Sequence, residues 1–68
     1  MKQLININLS NNYIKSMEPL RDLLNIEILD LSYNNLWDIN EIIIIKNFKK
    51  LQTLNLYCNL FTTYYTGN

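Results

Sequence analysis

The 68-residue sequence has no histidine, one cysteine, one glycine and one proline. Without histidine it lacks the commonest general base, and Cys58 has no histidine to activate it as a nucleophile. A single cysteine cannot form an internal disulfide, and with no histidine it does not make a zinc site within one chain. The lone glycine, Gly67, does not make a phosphate-binding loop. We therefore predict a protein that is not an enzyme, with no catalytic residues, no cofactor and no metal.

An excess of either charge is also lacking, because six basic and six acidic residues give a formal net charge of zero. This balance argues against a broad electrostatic grip on nucleic acid or on an anionic membrane. The longest apolar run, Ile42 to Ile45, is far shorter than the roughly 20 residues of a membrane-spanning helix. No apolar signal-peptide core follows Met1. We expect no nucleic-acid partner, no membrane, and a cytoplasmic or nuclear location.

What the sequence does contain is one apolar frame, present three times and each time closing on an asparagine. The three frames are Leu4-x-x-Ile7-x-Leu9-x-x-Asn12-x-Ile14, Ile26-x-x-Leu29-x-Leu31-x-x-Asn34-x-Leu36 and Leu51-x-x-Leu54-x-Leu56-x-x-Asn59-x-Phe61. The frame advances by 22 residues from Leu4 to Ile26 and by 25 from Ile26 to Leu51. Such a period with this frame is typical of leucine-rich repeats. The alternations Ile7-Asn8-Leu9, Leu29-Asp30-Leu31 and Leu54-Asn55-Leu56 predict three half-buried strands of one parallel sheet.

The connections between the frames carry apolar residues at every third position. They are Ile14, Met17, Leu20 and Leu23 in the first, and Leu36, Ile39, Ile42, Ile45 and Phe48 in the second. This spacing predicts 3₁₀-like turns that keep these side chains toward the core. We expect a helical turn or two at 19–24 and a longer helical stretch at 38–48. The second repeat, of 25 residues, then has one three-residue turn more than the first and keeps the every-third spacing. Ile43 and Ile44 do not fall on that spacing, so we expect them to point away from the core.

Asn12, Asn34 and Asn59 occupy the place where each strand ends and the chain turns inward. Backbone N–H and C=O groups there have no partners in the sheet, and a carboxamide can both donate to them and accept from them. An aliphatic residue would leave buried groups unsatisfied at about 1–3 kcal/mol each. We interpret these three residues as a structural asparagine ladder.

The segment Asn12-x-Ile14-x-x-Met17-Glu18-x-Leu20-x-x-Leu23-x-x-Ile26-x-x-Leu29-x-Leu31-Ser32-x-Asn34 resembles the 22-residue leucine-rich repeats of the protein phosphatase 1 regulator subclass. That subclass also includes an axonemal dynein light chain and a spliceosomal small-nucleoprotein subunit. The resemblance extends over nearly all of residues 4–61. It implies an α/β solenoid with a short parallel β-sheet on the concave face and 3₁₀ or α-helical turns on the convex face. We expect one leucine-rich repeat segment, residues 1–68, with repeats near 4–25, 26–50 and 51–61 and an irregular tail at 62–68.

In such a solenoid the residues that alternate with the frame point toward a partner. The predicted partner-binding residues are Asn8, Ser10, Ile28, Asp30, Ser32, Tyr33, Asn55 and Tyr57. Tyr33 and Tyr57 are the best anchors because tyrosine joins a large rigid face to a polar tip; the alternative is that they merely cover the sheet.

Three hypotheses about function remain at this point. The first is a scaffold or interaction module with a protein partner, as part of a phosphatase-regulatory or cytoskeletal protein. The second is a structural or truncated repeat segment without a binding function of its own. The third is end-to-end self-association, because neither end of the repeat array shows the terminal caps that the family usually has.

Overall fold

The computed structural model describes residues 5–61, which alternate short strands with helical turns. The strands are β1 (Asn6–Asn8), β2 (Ile28–Asp30) and β3 (Thr53–Asn55). A 3₁₀ turn at Glu18–Leu20 lies between β1 and β2, with Pro19 in its first turn, where a missing N–H costs nothing. Between β2 and β3, a 3₁₀ turn at Ile39–Glu41 runs into one α-helical turn, α1 (Ile42–Ile45).

The strands form one parallel sheet in the order β1-β2-β3, so the predicted sheet is confirmed. Ile7 lies opposite Leu29, and Leu29 lies opposite Leu54. These three residues hold the same position in the three frames, so strand register follows the frame. Parallel strands need crossover connections, and the helical turns supply them.

The core lies between the sheet and the helical turns and is centred on the second frame. Ile26, Leu29, Leu31 and Leu36 have no solvent exposure, and Met17 joins them from the first connection. The matching residues of the outer frames are only partly buried and pack against this centre; they include Ile7, Leu9, Leu56 and Phe61. The second frame is fully enclosed because it has a neighbouring frame on each side.

The predicted core-facing track of the second connection is only partly confirmed: Leu36 and Phe48 are buried and Ile45 packs against the core, but two other isoleucines depart from it. Ile39 is 48% exposed, whereas Ile44, expected off the core-facing track, is 5% exposed and packs in the core. A 3₁₀ turn advances about three residues per turn, but the α-helical turn that follows it takes 3.6. The change of helix type at Ile42 therefore widens the core-facing side of the turn, so that Ile44 packs in the core together with Ile45 and Phe48. The helical segments are also shorter than the predicted 19–24 and 38–48.

The side chain of Asn34 joins the first frame to the second. Its Oδ1 accepts hydrogen bonds from the backbone N–H of Asn12 at 3.1 Å and of Ile14 at 3.0 Å. Its Nδ2 donates to the carbonyl oxygens of Leu9 in the first frame and of Leu31 in its own. Asn34 is buried, and this one carboxamide provides partners for backbone groups of two frames.

Asn59 repeats this arrangement one frame later. Its Oδ1 accepts from the N–H of Leu36 at 3.0 Å, and its Nδ2 donates to the carbonyl oxygens of Leu31 and Leu56. Asn12 donates through Nδ2 to Leu9 and Ser10 of its own frame. Each of the two later asparagines thus reaches back to the frame before it.

The helix phase can be tested by truncating neighbouring isoleucines of α1. Ile44→Ala should lower the free energy of unfolding by about 2–5 kcal/mol because it removes buried methyl and methylene groups from the core. Ile43→Ala is the matched control, since Ile43 is exposed, and it should change stability by less than about 0.5 kcal/mol. Urea denaturation followed by circular dichroism measures both. Equal losses, or a larger loss for Ile43→Ala, would contradict the observed phase.

Candidate functional site

Each strand ends on an aspartate or asparagine whose side chain binds the backbone two residues further on. Asn8 Oδ1 accepts from the N–H of Ser10, and Asp30 Oδ1 accepts from the N–H of Ser32, both at 3.0 Å. Asn55 Oδ1 does the same with Tyr57, also at 3.0 Å. This local turn competes with the sheet for the backbone. Each strand lies one residue earlier than the apolar alternation predicts, and this turn accounts for the position of its end.

Asp30 is the one charged member of this set. Its Oδ1 also accepts from the Ser32 hydroxyl at 2.7 Å. The hydrogen bond from the Ser32 hydroxyl, followed by the one from the Ser32 backbone, lowers the pKa of Asp30 below its ordinary value. Asp30 is therefore a carboxylate at neutral pH, between two neutral amides at the same place in the neighbouring strands.

A residue with a left-handed backbone follows each of these turns. Asn11, Tyr33 and Cys58 have φ angles of 62°, 57° and 59°, and each directly precedes an asparagine of the ladder. Asparagine adopts this conformation readily, whereas tyrosine and cysteine do so at a cost. These φ angles turn the chain inward at the same point of each frame. Asn11 was the only residue of the three whose type could have indicated this from the sequence.

Tyr33 and Tyr57 are brought into contact across the ends of β2 and β3. Their ring centroids lie 5.8 Å apart with planes at 83°, an edge-to-face arrangement. The two side chains are 51% and 66% exposed. The Coulombic interaction with the neighbouring Cys58, followed by desolvation, raises the pKa of Tyr33 above its ordinary value.

The remaining predicted site residues divide into exposed and engaged groups. Ile28 is exposed on β2, whereas the side-chain oxygens of Asn8, Asp30 and Asn55 hold the turns just described. Ser10 is half-buried and donates to Asn8. Ser32 requires a correction, because its side chain is buried and does not face a partner. The alternation that would expose it ends with β2 at Asp30, and its hydroxyl donates to that carboxylate instead.

Glu41 is a structural residue that the sequence did not single out. Its Oε1 accepts from the backbone N–H of Met17 at 2.6 Å and from the Ser16 hydroxyl at 3.2 Å. The second connection thereby holds the start of the 3₁₀ turn in the first. No apolar periodicity marks such a contact, so sequence reasoning had no signal for it.

The exposed groups around the strand ends are aromatic, aliphatic, amide and carboxylate side chains. Over residues 5–61, no three or more histidine, cysteine, aspartate or glutamate side chains are grouped so that they could hold a metal ion. In the same range, no helix has the length and apolar character needed to cross a membrane. Two aromatic rings, one exposed isoleucine, side-chain amides and one carboxylate are chemically able to make apolar contacts and hydrogen bonds.

Comparison with known proteins agrees with this geometry. Residues 25–49 match the family model described as Leucine Rich Repeat, and these residues hold β2, the second ladder asparagine and most of the second connection. The chain therefore contains a leucine-rich repeat within an α/β repeat fold. Such repeats generally mediate protein–protein interaction and are typically not enzymatic. No curated protein matches the chain.

The left-handed position can be tested at Cys58, which is exposed. Cys58→Asn should raise the free energy of unfolding by about 0.5–1 kcal/mol because asparagine tolerates a positive φ better than cysteine does. Cys58→Ala is the matched control, since it removes the thiol but keeps a side chain with no preference for this conformation. Thermal or urea unfolding compares the two variants. If Cys58→Asn is no more stable than Cys58→Ala, the conformation carries no measurable strain.

Proposed function

We propose that this chain is a protein-interaction module, part of a leucine-rich repeat solenoid whose parallel sheet forms the concave, partner-binding face. The observation that carries the proposal is the exposed edge-to-face pair of Tyr33 and Tyr57. Each ring restricts the other, so a partner meets two large apolar faces that lose little freedom on binding.

The polar groups beside the tyrosines fit an interface with a polypeptide. Asn8 and Asn55 use Oδ1 to hold their turns, so their Nδ2 groups can donate to carbonyl groups of a partner. Asp30 adds a carboxylate that can accept from a cationic side chain. Ile28, at the start of β2, contributes exposed apolar surface.

The size of this face limits the affinity it supplies. A standard interface takes about 20–30 residues, near 800 Å² per partner, and three strands of three residues provide fewer. The module therefore acts as one section of a larger binding surface, in a scaffold or regulatory subunit. The similarity of its frames to the protein phosphatase 1 regulator subclass makes a phosphatase-regulatory protein the most specific version of this proposal and a cytoskeletal repeat protein the next.

The tyrosine pair provides the test. Tyr57→Ala should weaken binding of the purified catalytic subunit of protein phosphatase 1 about tenfold, since truncating an aromatic anchor costs roughly 1–2 kcal/mol. Tyr13→Ala is the matched control, because Tyr13 is also highly exposed but follows the first ladder asparagine. Surface plasmon resonance with immobilised chain measures all three proteins.

The possible outcomes separate the two levels of the proposal. If the wild type binds and Tyr57→Ala binds equally well, the tyrosine pair is not the contact. Absence of binding by the wild type would exclude the phosphatase version and leave the cytoskeletal version and the alternative, a structural repeat segment with no partner of its own.

A further inference from the structure

The outer side of β3 exposes an apolar residue of the third frame. Leu54 is 36% exposed, whereas Leu29, at the same position of the second frame, is fully buried. Leu29 has a strand on each side, whereas within residues 5–61 the only strand beside Leu54 is β2. Next to β3 lies an apolar groove of about 510 Å³ lined by Leu56, Tyr57, Cys58, Asn59 and Phe61.

The structure contains two interfaces between frames, one between the first and second and one between the second and third. Their hydrogen bonds show what a further frame would have to provide to pair with β3. In the backbone, Leu9 N donates to Asp30 O at 2.8 Å, and one frame later Leu31 N donates to Asn55 O at 2.9 Å. Two further bonds recur in the same way. Asn11 N donates to Ser32 O, and one frame later Tyr33 N donates to Tyr57 O. Likewise Asn35 N donates to Ile14 O, and one frame later Leu60 N donates to Leu36 O. Successive frames therefore join through one repeated set of atoms.

The ladder asparagines extend this set to side chains. Ile14 N donates to Asn34 Oδ1 and Leu36 N donates to Asn59 Oδ1, both at 3.0 Å. Phe61 is the residue of the third frame that corresponds to Ile14 and Leu36. The next acceptor in the series would be a carboxamide oxygen placed beside the Phe61 N–H.

We propose that the β3 edge binds the β1 edge of a second molecule of this chain, head to tail. If the same hydrogen bonds are extended by one frame, Leu56 N of the first molecule donates to Asn8 O of the second. Cys58 N of the first molecule likewise donates to Ser10 O of the second. Asn12 of the second molecule accepts through Oδ1 from Phe61 N and donates through Nδ2 to Leu56 O. The groove beside β3 thereby receives the first frame of the second molecule.

The first frame is suited to this role. Asn12 Nδ2 donates to Leu9 O and Ser10 O, as Asn34 Nδ2 donates to Leu31 O and Ser32 O, so the Asn12 carboxamide already has the orientation of a ladder residue. Ile7 and Leu9 are only partly buried and can cover Leu54 and Leu56. A formal net charge of zero adds no long-range repulsion between molecules. Because the two edges differ, the contact is heterologous and lets further molecules add.

Disulfide trapping tests the register directly. The extended register places Cys58 opposite Asn11 of the second molecule, at the roughly 4.8 Å spacing of paired strands, which a disulfide can bridge. Mild oxidation of Asn11→Cys should give a ladder of linked multimers in non-reducing electrophoresis. Asn40→Cys, at an exposed site in the second connection, is the matched control and should give no more multimers than random collision. Equal cross-linking of the two variants would overturn the proposal.

Sedimentation velocity supplies a second test, which includes the unmodified chain. The wild type should gain mass with concentration, and Leu54→Lys should remain a monomer because it places a charge in the contact. Leu24→Lys, which alters an exposed leucine of the first connection, should assemble like the wild type. Leu54→Lys keeps its β1 edge, so adding it to the wild type should shorten the assemblies. A monomeric wild type throughout, or wild-type assemblies unaffected by added Leu54→Lys, would overturn head-to-tail pairing.

Discussion

The buried carboxamide of Asn34 is the contact on which the arrangement of the frames depends. At this point the chain leaves β2 and turns inward, so that backbone N–H and C=O groups of two frames point into a region with no strand to pair them. Oδ1 accepts from the first frame, and Nδ2 donates to carbonyl oxygens of both frames. Each of these backbone groups would cost about 1–3 kcal/mol if buried without a partner. No apolar side chain of similar size could replace this function.

The residues before each ladder asparagine determine the path of the backbone toward it. An aspartate or asparagine ends the strand by binding the N–H two residues on, and a left-handed residue then directs the chain inward. Because this sequence of steps occurs at one level in all three frames, the strand ends are aligned. Tyr33 and Tyr57 leave their strands at neighbouring points and meet edge to face. The candidate binding surface is thus a consequence of the same turn that the asparagines stabilise.

Strand positions and register could be read from the sequence because the frame itself carries them: Ile7, Leu29 and Leu54 are equivalent in the frame and are paired in the sheet. The phase of the second connection could not be read in this way. A three-residue spacing is compatible with 3₁₀ geometry throughout, and nothing in four successive isoleucines indicates where α-helical geometry begins. The core therefore contains Ile44 as well as the predicted Phe48, whereas Ile39 is exposed.

The candidate site was partly readable for a similar reason. Tyr33 and Tyr57 could be selected by residue type and position. Their contact could not be predicted, because Tyr33 lies one residue before its ladder asparagine and Tyr57 lies two residues before its own, so the two do not hold equivalent positions in the frame. Ser32 was misplaced because strand alternation was continued past the turn that ends β2. The left-handed conformations at Tyr33 and Cys58 gave no sequence signal, as neither residue type favours them.

Hydrogen exchange measured by NMR on the wild-type chain tests the central claim most directly. The backbone N–H of Ile14 lies outside every strand and helix, and Asn34 Oδ1 is its acceptor. The account predicts that this N–H and the side-chain Nδ2 protons of Asn34 exchange far more slowly than the side-chain amide of the exposed Asn40. If Ile14 and Asn34 exchange as fast as Asn40, the carboxamide does not join the frames and the account is wrong.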